Sequence, residues 1–164
     1  MNPDVVKEKL ASRFGAESIT VDTFRDQVSV NVPAEKIVQV CKYLRDDPDF
    51  RFDYLSFVAG VDRMPAAPRF ELVYELFSTS SAKRLRLKAL AIEDESGNAS
   101  IDSVFEVWST ADWHERETAE MFGIGFNNHP DPRKLLLPDE WNVYPLRKDF
   151  PLMGTDQDTP DLSK

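Results

Sequence analysis

The sequence predicts an α+β fold: a mixed, largely antiparallel sheet of about five strands packed with about three helices, followed by an extended, proline-rich C-terminal arm. Apolar residues recur at helical spacing in some segments and alternate in others, in the order αββαβββ followed by one more helix. The arm is predicted because six of the eleven prolines follow residue 129. The length of 164 residues suits one domain, and the sequence contains no internal repeat.

The first helix is predicted at the N-terminal end of the sequence. Asn2 can cap it, Pro3 suits the first helical position and Gly15 can terminate it. Apolar residues recur every four positions in between, at Val6, Leu10 and Phe14. This spacing is typical of an amphipathic helix.

A hairpin and a second helix follow. Apolar residues alternate on both sides of a polar turn at Arg25-Asp26, which predicts two antiparallel strands. These apolar residues are Ile19, Val21, Val28, Val30 and Val32. Pro33 opens the second helix, which runs to about Asp46 before "DDPDF" closes it.

Three further strands are predicted before the last helix. They lie near 55–62, at "RFELVYELF" and at "KRLRLKALAI". The third of these strands has an apolar face and a basic face. Its apolar side chains are Leu85, Leu87, Ala89 and Ala91, and its basic side chains are Arg84, Arg86 and Lys88. The polar turn "EDESGNAS" ends this run, and helices are expected to cover one face of the sheet.

Composition narrows the class of protein. A hydrophobic fraction of 41% and an aromatic fraction of 11% favour a folded globule over a disordered chain. A net charge of −9 argues against nucleic acid as a partner, because binding phosphates requires a basic surface. No apolar run approaches the ~20 residues that span a bilayer, and the N-terminus lacks the order of a secretory signal. We therefore expect a cytoplasmic chain that meets a membrane only through a partner.

The sequence offers few ligands for a metal or cofactor. Cys41 is the only cysteine, which excludes an internal disulfide and an all-cysteine iron–sulfur cluster or zinc finger. It lies on the apolar face of the second helix, where a buried filler is expected. His114 opens the sequence "HERE", but Thr118 stands where the zinc motif HExxH has its second histidine. No GxGxxG motif for a dinucleotide is present.

From Pro130 onward the sequence is rich in proline and loses the periodic apolar pattern of the preceding segments. From there on, no periodic segment is longer than "KLLL", and such a stretch is normally either disordered or functional. We expect a core domain at 1–129, an extended docking arm at 130–153 and a polar, flexible tail at 154–164. The arm is dense in apolar residues that need a surface to lie on: Leu135, Leu136, Leu137, Trp141, Val143, Tyr144, Leu146, Phe150, Leu152 and Met153.

The last helix, predicted from Asp112 to Phe122 and ended by Gly123, is rich in charge. Asp112, Arg116 and Glu120 form one row at i,i+4 spacing, so that Arg116 can bridge two carboxylates. Glu117 shares a face with Trp113 and Met121, and Glu115 shares one with Ala111, Ala119 and Phe122. Carboxylates among apolar neighbours require cations. The candidate cations are Arg133, Lys134, Arg147 and Lys148, and we expect Glu117 to form one network with the last two.

Other interpretations of this helix stay open at the level of sequence. The charged row is equally consistent with a solvated helix face, on which each pair stabilises by only ~0.2–0.5 kcal/mol. A stand-alone enzyme would use Glu115, Glu117 and His129 as acid–base groups. A structural role for His129, before Pro130, would be to pin the turn into the arm.

Three ordered blocks of sequence carry a family resemblance. "EREtaEMFGIgfnnHpdpRkLL" followed by "PLRKDFPL" resembles the hydrophilic C-type subunit of NADH-quinone oxidoreductases, which is the thirty-kilodalton subunit of respiratory complex I. The resemblance covers about 115–152, and the α+β part ahead of it has the expected length and element order. Family members often carry His where this chain has Tyr144.

The resemblance implies a non-redox docking subunit in the peripheral arm of a proton-translocating NADH:quinone oxidoreductase. Its partners would be the D-type subunit, which builds the quinone cavity, and neighbouring iron–sulfur subunits, on the cytoplasmic side of the inner membrane. FMN, iron–sulfur clusters and quinone would belong to the complex, and no cofactor, metal or catalytic centre to this chain. The residues expected to dock on a partner are Glu115, Arg116, Glu117, Glu120, His129, Arg133, Pro145, Leu146, Arg147, Lys148, Asp149 and Phe150.

An equivalent subunit of a related complex is the alternative that shares this fold. The related complexes are membrane-bound hydrogenases, formate hydrogenlyase and plastid-type dehydrogenases. The large subunits that co-purify with the chain would distinguish them.

Overall fold

A computed structural model describes residues 2–154 of the chain. Within this range three α-helices form: α1 (Pro3–Phe14), α2 (Ile37–Asp46), preceded by a 3₁₀ turn at Ala34–Lys36, and α3 (Ala111–Phe122). Eight strands form in the same range: β1 (Thr20–Phe24), β2 (Gln27–Asn31), β3 (Tyr54–Asp62), β4 (Phe70–Ser78), β5 (Lys83–Leu90), β6 (Ile92–Glu93), β7 (Ala99–Asp102) and β8 (Ile124–Asn127). Apart from Gly154, the tail expected at 154–164 lies outside the described residues.

The main sheet has five strands in the order β1-β2-β5-β4-β3. Only the β2–β5 pair is parallel, with Val30 opposite Leu87, and the other neighbours are antiparallel. This arrangement confirms the predicted α+β class. A second sheet, β6-β7-β8, was not predicted, because strands of two to four residues are too short to show alternation.

The predicted element boundaries have visible local causes. The Asn2 side chain accepts a hydrogen bond from the Asp4 backbone N–H at 2.9 Å, which caps the start of α1. Arg25 and Asp26 both have positive φ, 48° and 63°, as a two-residue hairpin turn of type I′ requires. Gly123 ends α3 in the left-handed conformation, with φ 71° and ψ 39°.

The core lies on one face of the main sheet. Alternate residues of the central strands are buried there, including Leu72, Leu76, Leu85 and Leu87, and they form one cluster with the buried faces of α1 and α2. The prediction that β5 has one buried apolar face and one basic face is therefore confirmed. Cys41 is fully buried in the same cluster, which confirms its role as apolar filler. Among the described residues, no helix is long and apolar enough to cross a membrane.

The last helix, α3, packs closely along the edge strand β3. Gly60 of β3 makes this approach possible, because a Cβ there would lie 2.7 Å from Cδ2 of Phe122. The Thr118 hydroxyl also donates to the Val58 carbonyl at 3.5 Å. The exposed side of α3 and the end of β3 are thereby held together as one surface, on which the C-terminal arm lies.

Candidate functional site

The arm is attached to α3 mainly through hydrogen bonds to backbone groups. Glu120 is nearly buried, and its carboxylate accepts hydrogen bonds from the backbone N–H groups of Leu135, Leu136 and Leu137 at 3.0–3.1 Å. A carboxylate that accepts several N–H groups is satisfied without a cation. The expected bridge from Arg116 to Glu120 is therefore wrong, since the arm supplies Glu120 with its partners.

Arg116 holds the preceding residues of the arm. Its Nε and Nη2 donate to the carbonyls of Arg133 and Lys134 at 2.8 Å and 3.0 Å. Its Nη1 lies 3.5 Å from Asp131 and 3.9 Å from Asp112, so the predicted i,i+4 pair with Asp112 exists but is loose. Arg116 and Glu120 thus bind successive carbonyls and N–H groups of the arm, and they set its path across the helix.

Arg147 caps the C-terminal end of α3. Its Nε donates to the Phe122 carbonyl at 2.6 Å, and its Nη2 reaches the Gly123 carbonyl at 3.5 Å. A cation at this end of a helix satisfies free carbonyls and opposes the helix dipole. The guanidinium also lies over the rings of Tyr144, at 4.3 Å, and Phe70, at 5.1 Å. Tyr144 therefore serves as a stacking surface for Arg147.

The end of the arm is locked to the β3–β4 loop by a buried carboxylate. Asp62, at the end of β3, accepts two hydrogen bonds from Arg69, at 2.7 Å and 3.0 Å, and one from the Lys148 backbone N–H at 2.8 Å. Arg69 also makes a two-point contact with Asp149, at 2.7 Å and 3.0 Å. The hydrogen bonds from the Arg69 guanidinium hold the pKa of Asp62 well below its usual range. Asp62 and Arg69 were missed at the level of sequence, because no local spacing links them to Asp149, 80 residues further on from Arg69.

Glu115 faces inward, beneath the start of the arm. Its side chain is 0% exposed and accepts hydrogen bonds from the Ser103 hydroxyl at 2.5 Å and the Val104 N–H at 2.8 Å. His129 Nε2 lies 3.8 Å from the same carboxylate. Burial raises the pKa of Glu115 to about 7, against the effect of these hydrogen bonds.

His129 pins the turn into the arm, as expected. Its Nδ1 accepts the Asp131 N–H at 3.1 Å, so the ring proton is assigned to Nε2, which lies 3.2 Å from the Asp112 carbonyl. The ring is almost completely buried and also packs near Phe105, with the two ring centroids 6.2 Å apart. Both candidate acid–base groups, Glu115 and His129, are therefore enclosed by the protein.

Glu117 is placed differently from the other carboxylates of α3. It is exposed, and within residues 2–154 it makes no hydrogen bond or ion pair. Arg147 caps the helix, and Lys148 Nζ donates to the Met64 carbonyl at 2.9 Å. The expected network of Glu117 with Arg147 and Lys148 is therefore not formed, because both cations are drawn to backbone carbonyls.

The remaining predicted docking residues lie along the same arm. Arg133 is largely exposed and pairs with Asp131 at 2.7 Å. Pro145, Leu146 and Phe150 belong to the turns around Arg147, where the Leu146 N–H donates to the Met121 carbonyl at 3.1 Å and the Phe150 N–H to the Arg147 carbonyl at 3.0 Å. The twelve predicted residues thus lie on α3, at the turn into the arm or on the arm, and two of them, Lys148 and Asp149, contact the β3–β4 loop.

Several large apolar side chains of this region point to solvent. Trp113 is 66% exposed and Leu146 is 56% exposed, although both lie beside well-packed elements. Leu136 is similarly exposed, and Leu152 and Met153 are almost completely so. The backbone of the arm is anchored while much of its apolar surface remains uncovered, which is typical of a protein-binding surface. In the described residues, no group of three or more His, Cys, Asp or Glu side chains is arranged to hold a metal ion.

Comparison with known proteins gives consistent matches over most of the chain. Residues 30–156 match the family described as "Respiratory-chain NADH dehydrogenase, 30 Kd subunit". The C-type subunit of NADH-quinone oxidoreductase from Geotalea uraniireducens is 42% identical over 150 residues, which cover 92% of this chain and 88% of that protein. The corresponding C-type subunit from Roseiflexus castenholzii is 46% identical over 129 residues, 79% of this chain and 72% of that protein.

A solved structure shares the fold. It is a chain of the membrane-bound sulfane sulfur reductase, an archaeal respiratory membrane complex, with a TM-score of 0.70 at 24% identity. The match covers 92% of this chain and 85% of that chain. At this identity the likeness speaks to the fold alone.

Proposed function

Because the chain belongs to the family of the 30-kDa subunit of respiratory-chain NADH dehydrogenase, we propose that it is a non-redox docking subunit in the peripheral arm of a proton-translocating NADH:quinone oxidoreductase. Its partners are the subunit that builds the quinone cavity and neighbouring iron–sulfur subunits, on the cytoplasmic side of the inner membrane. FMN, the iron–sulfur clusters and quinone are held by those other subunits. This chain supports electron transfer from NADH to quinone by holding the assembly together.

One observation carries the docking proposal: the arm is anchored by its polar groups and exposes its apolar ones. Glu120, Arg116 and Asp62 bind backbone groups of the arm, so that the arm keeps its path without a partner. A segment that is already ordered loses less conformational entropy when it binds. Leu146 and Leu152, which are exposed on this ordered segment, are then available as contacts for another subunit.

The same geometry argues against a stand-alone acid–base enzyme. Glu115 and His129 lie beneath the arm, where a substrate would have to displace Ser103, Val104 or the turn at Asp131 to reach them. Glu117 stands apart from both on the outer side of the helix. A general base must come within hydrogen-bond reach of the proton it removes, and the two buried groups offer no such access.

Affinity purification tests the proposal. The tagged chain is expressed in its own host, membranes are solubilised in mild detergent, and co-eluting proteins are identified by mass spectrometry. We expect the quinone-cavity and iron–sulfur subunits to co-elute in equal molar amounts with the chain. Recovery of large subunits of a membrane-bound hydrogenase, formate hydrogenlyase or plastid-type dehydrogenase would instead assign the chain to a related complex. Elution of the chain by itself would overturn the docking function.

A paired variant shows whether the exposed end of the arm takes part. Leu152→Ser combined with Met153→Ser removes two apolar side chains that are almost fully exposed, so the fold should be unchanged. We expect at least a ten-fold loss of retained partner. Val5→Ser, on the exposed side of α1, is the matched control and should retain the partner as the wild-type chain does.

A further inference from the structure

The groove between β3 and α3 has one charged group for which the chain supplies no cation within residues 2–154. This groove, of about 300 Å³, is lined by Phe57 and Ala59 of β3, by His114, Glu117 and Met121 of α3, and by Leu146 of the arm. Trp113 does not line the groove but lies one helical turn before Glu117 on α3. The walls are otherwise largely apolar, so a charge here is the feature that a ligand would have to match.

No Lys or Arg is among the described residues that line the groove, and the cations of the adjoining elements bind other groups. Arg116 binds the carbonyls of Arg133 and Lys134, and Arg147 binds those of Phe122 and Gly123. Arg69 of the β3–β4 loop is shared between Asp62 and Asp149. Lys148 Nζ donates to the Met64 carbonyl. In the described part of the chain, none of these cations pairs with Glu117.

Two large apolar side chains at or beside the groove, Trp113 and Leu146, are exposed to solvent. Trp113 exposes 66% of its surface, and Leu146 exposes 56% although its backbone N–H is bonded to the Met121 carbonyl. Interface hot spots are enriched in large aromatic residues such as Trp. Gly60 keeps the helix close to the strand, so the groove has a fixed width.

We propose that this groove receives a basic side chain of a neighbouring subunit, a Lys or Arg flanked by aliphatic residues, which pairs with Glu117 while its apolar stem and neighbours cover Trp113 and Leu146. Long basic side chains suit this site because their methylene stems pack on apolar walls while the charged end reaches a carboxylate. The inference rests on the proposed docking function and deepens it, since it names the chemistry of the partner at one position.

Photo-crosslinking in the assembled complex tests where the partner lies. The photoreactive residue p-benzoylphenylalanine is placed at Trp113 and, as the control, at Phe24, a similarly exposed aromatic residue on the β1–β2 hairpin. We expect the crosslink from position 113 to fall within a segment of one co-purifying protein that contains Lys or Arg beside aliphatic residues. A segment without a basic residue, or a yield at position 113 no higher than at position 24, would overturn the proposal.

Charge exchange tests the pairing itself. Glu117→Lys should lower the amount of retained partner by at least ten-fold and Glu117→Gln by a smaller factor, and replacing the crosslinked basic residue of the partner with Glu should restore binding to Glu117→Lys. Glu8→Lys, an exposed reversal on α1, is the matched control and should have no effect. Retention of the partner by both Glu117 variants at the wild-type level would contradict the inference.

The two proposals fail in different ways. If the wild-type chain co-purifies with no partner, the docking function itself is wrong. If it co-purifies normally and only the changes at Trp113 and Glu117 are without effect, the docking function stands and the groove is not the contact. Thermal unfolding of each isolated variant should match that of the wild-type chain, because both side chains are exposed.

Discussion

Removing the buried carboxylate of Asp62 should release the end of the arm. Asp62→Ala takes away four hydrogen-bond contacts at once: two from Arg69, one from the Met64 N–H and one from the Lys148 N–H. The Arg69 guanidinium keeps only Asp149 as a carboxylate partner within residues 2–154, and the Met64 and Lys148 N–H groups are left without this acceptor. The perturbation therefore acts on the β3–β4 loop and on the arm together.

The expected magnitude follows from burial. The Asp62 side chain is 2% exposed and that of Arg69 is 23% exposed, so the pair is largely desolvated. Removing one partner of such a pair costs about 3–5 kcal/mol of unfolding free energy. Asp149 is 48% exposed, and the same truncation there, Asp149→Ala, should cost no more than about 1 kcal/mol. Both carboxylates bind the same guanidinium, so the difference between the two variants measures burial together with the two backbone N–H bonds that Asp62 accepts.

Urea unfolding of the isolated chain measures both values, and limited proteolysis shows where the structure loosens. We expect Asp62→Ala to open cleavage sites in 130–154 at urea concentrations at which the wild-type chain is protected. The pKa of Asp62 is depressed in the folded chain. Its contribution to the free energy of unfolding is therefore present above the unfolded-state pKa of about 4 and is lost as the pH falls through the lower folded-state pKa. The stabilities of Asp62→Ala and the wild-type chain should therefore converge in strong acid.

Equal, small effects of Asp62→Ala and Asp149→Ala would refute this reasoning. They would mean that Arg69 is effectively solvated and that the arm is held by other contacts. A large effect of Asp62→Ala without new cleavage in 130–154 would be a second contradiction, because it would place the stabilisation in the β3–β4 loop by itself.

Three other predictions concern the interior of the same region. Glu120→Gln leaves one acceptor oxygen for the three N–H groups of the arm and should cost about 1–3 kcal/mol, measured by urea unfolding. The pKa of Glu115 is raised in the folded chain, so its contribution to the free energy of unfolding is fully present below the unfolded-state pKa of about 4.5 and is lost as the pH rises through about 7. Glu115→Gln should therefore remove up to ~3 kcal/mol of pH dependence between pH 4 and 8, measured by urea unfolding. Gly60→Ala forces a Cβ against the Phe122 ring and should cost about 1–3 kcal/mol in thermal unfolding, whereas Gly125→Ala, whose Cβ meets its nearest atom at an ordinary 3.6 Å, should cost little.

Each of these has an outcome that contradicts it. Unchanged stability of Glu120→Gln would show that the N–H groups of the arm find other acceptors. A pH dependence shared by Glu115→Gln and the wild-type chain would assign the titration to another group. Equal stability of Gly60→Ala and Gly125→Ala would mean that α3 can move away from β3 at no cost.

Local features of the fold were predictable from the sequence because they depend on neighbours within a few positions. The cap at Asn2, the turn at Arg25-Asp26 and the end of α3 at Gly123 each follow from a backbone conformation that those residue types favour. The two faces of β5 follow from the strand period. The family resemblance was also carried by sequence, since it depends on ordered residues and not on their partners.

The partners of the charged residues were decided only by tertiary structure. Spacing on α3 correctly placed Glu117 on a different face from Arg116 and Glu120, but it pointed to other side chains as their partners. In the folded chain, backbone groups take most of those places: carbonyls and N–H groups of the arm bind Arg116 and Glu120, and the Phe122 carbonyl of α3 binds Arg147.

The lock between Asp62, Arg69 and Asp149 shows the same limit over a longer range. Its members lie on β3, the β3–β4 loop and the arm, and no sequence period relates them. Which carboxylate becomes buried, and which remains exposed as Glu117 does, depends on where the chain returns after 80 residues. Local sequence determines which charged side chains each element carries. The packing of distant elements determines which partners those side chains bind, because desolvation acts on groups that only the complete fold brings together.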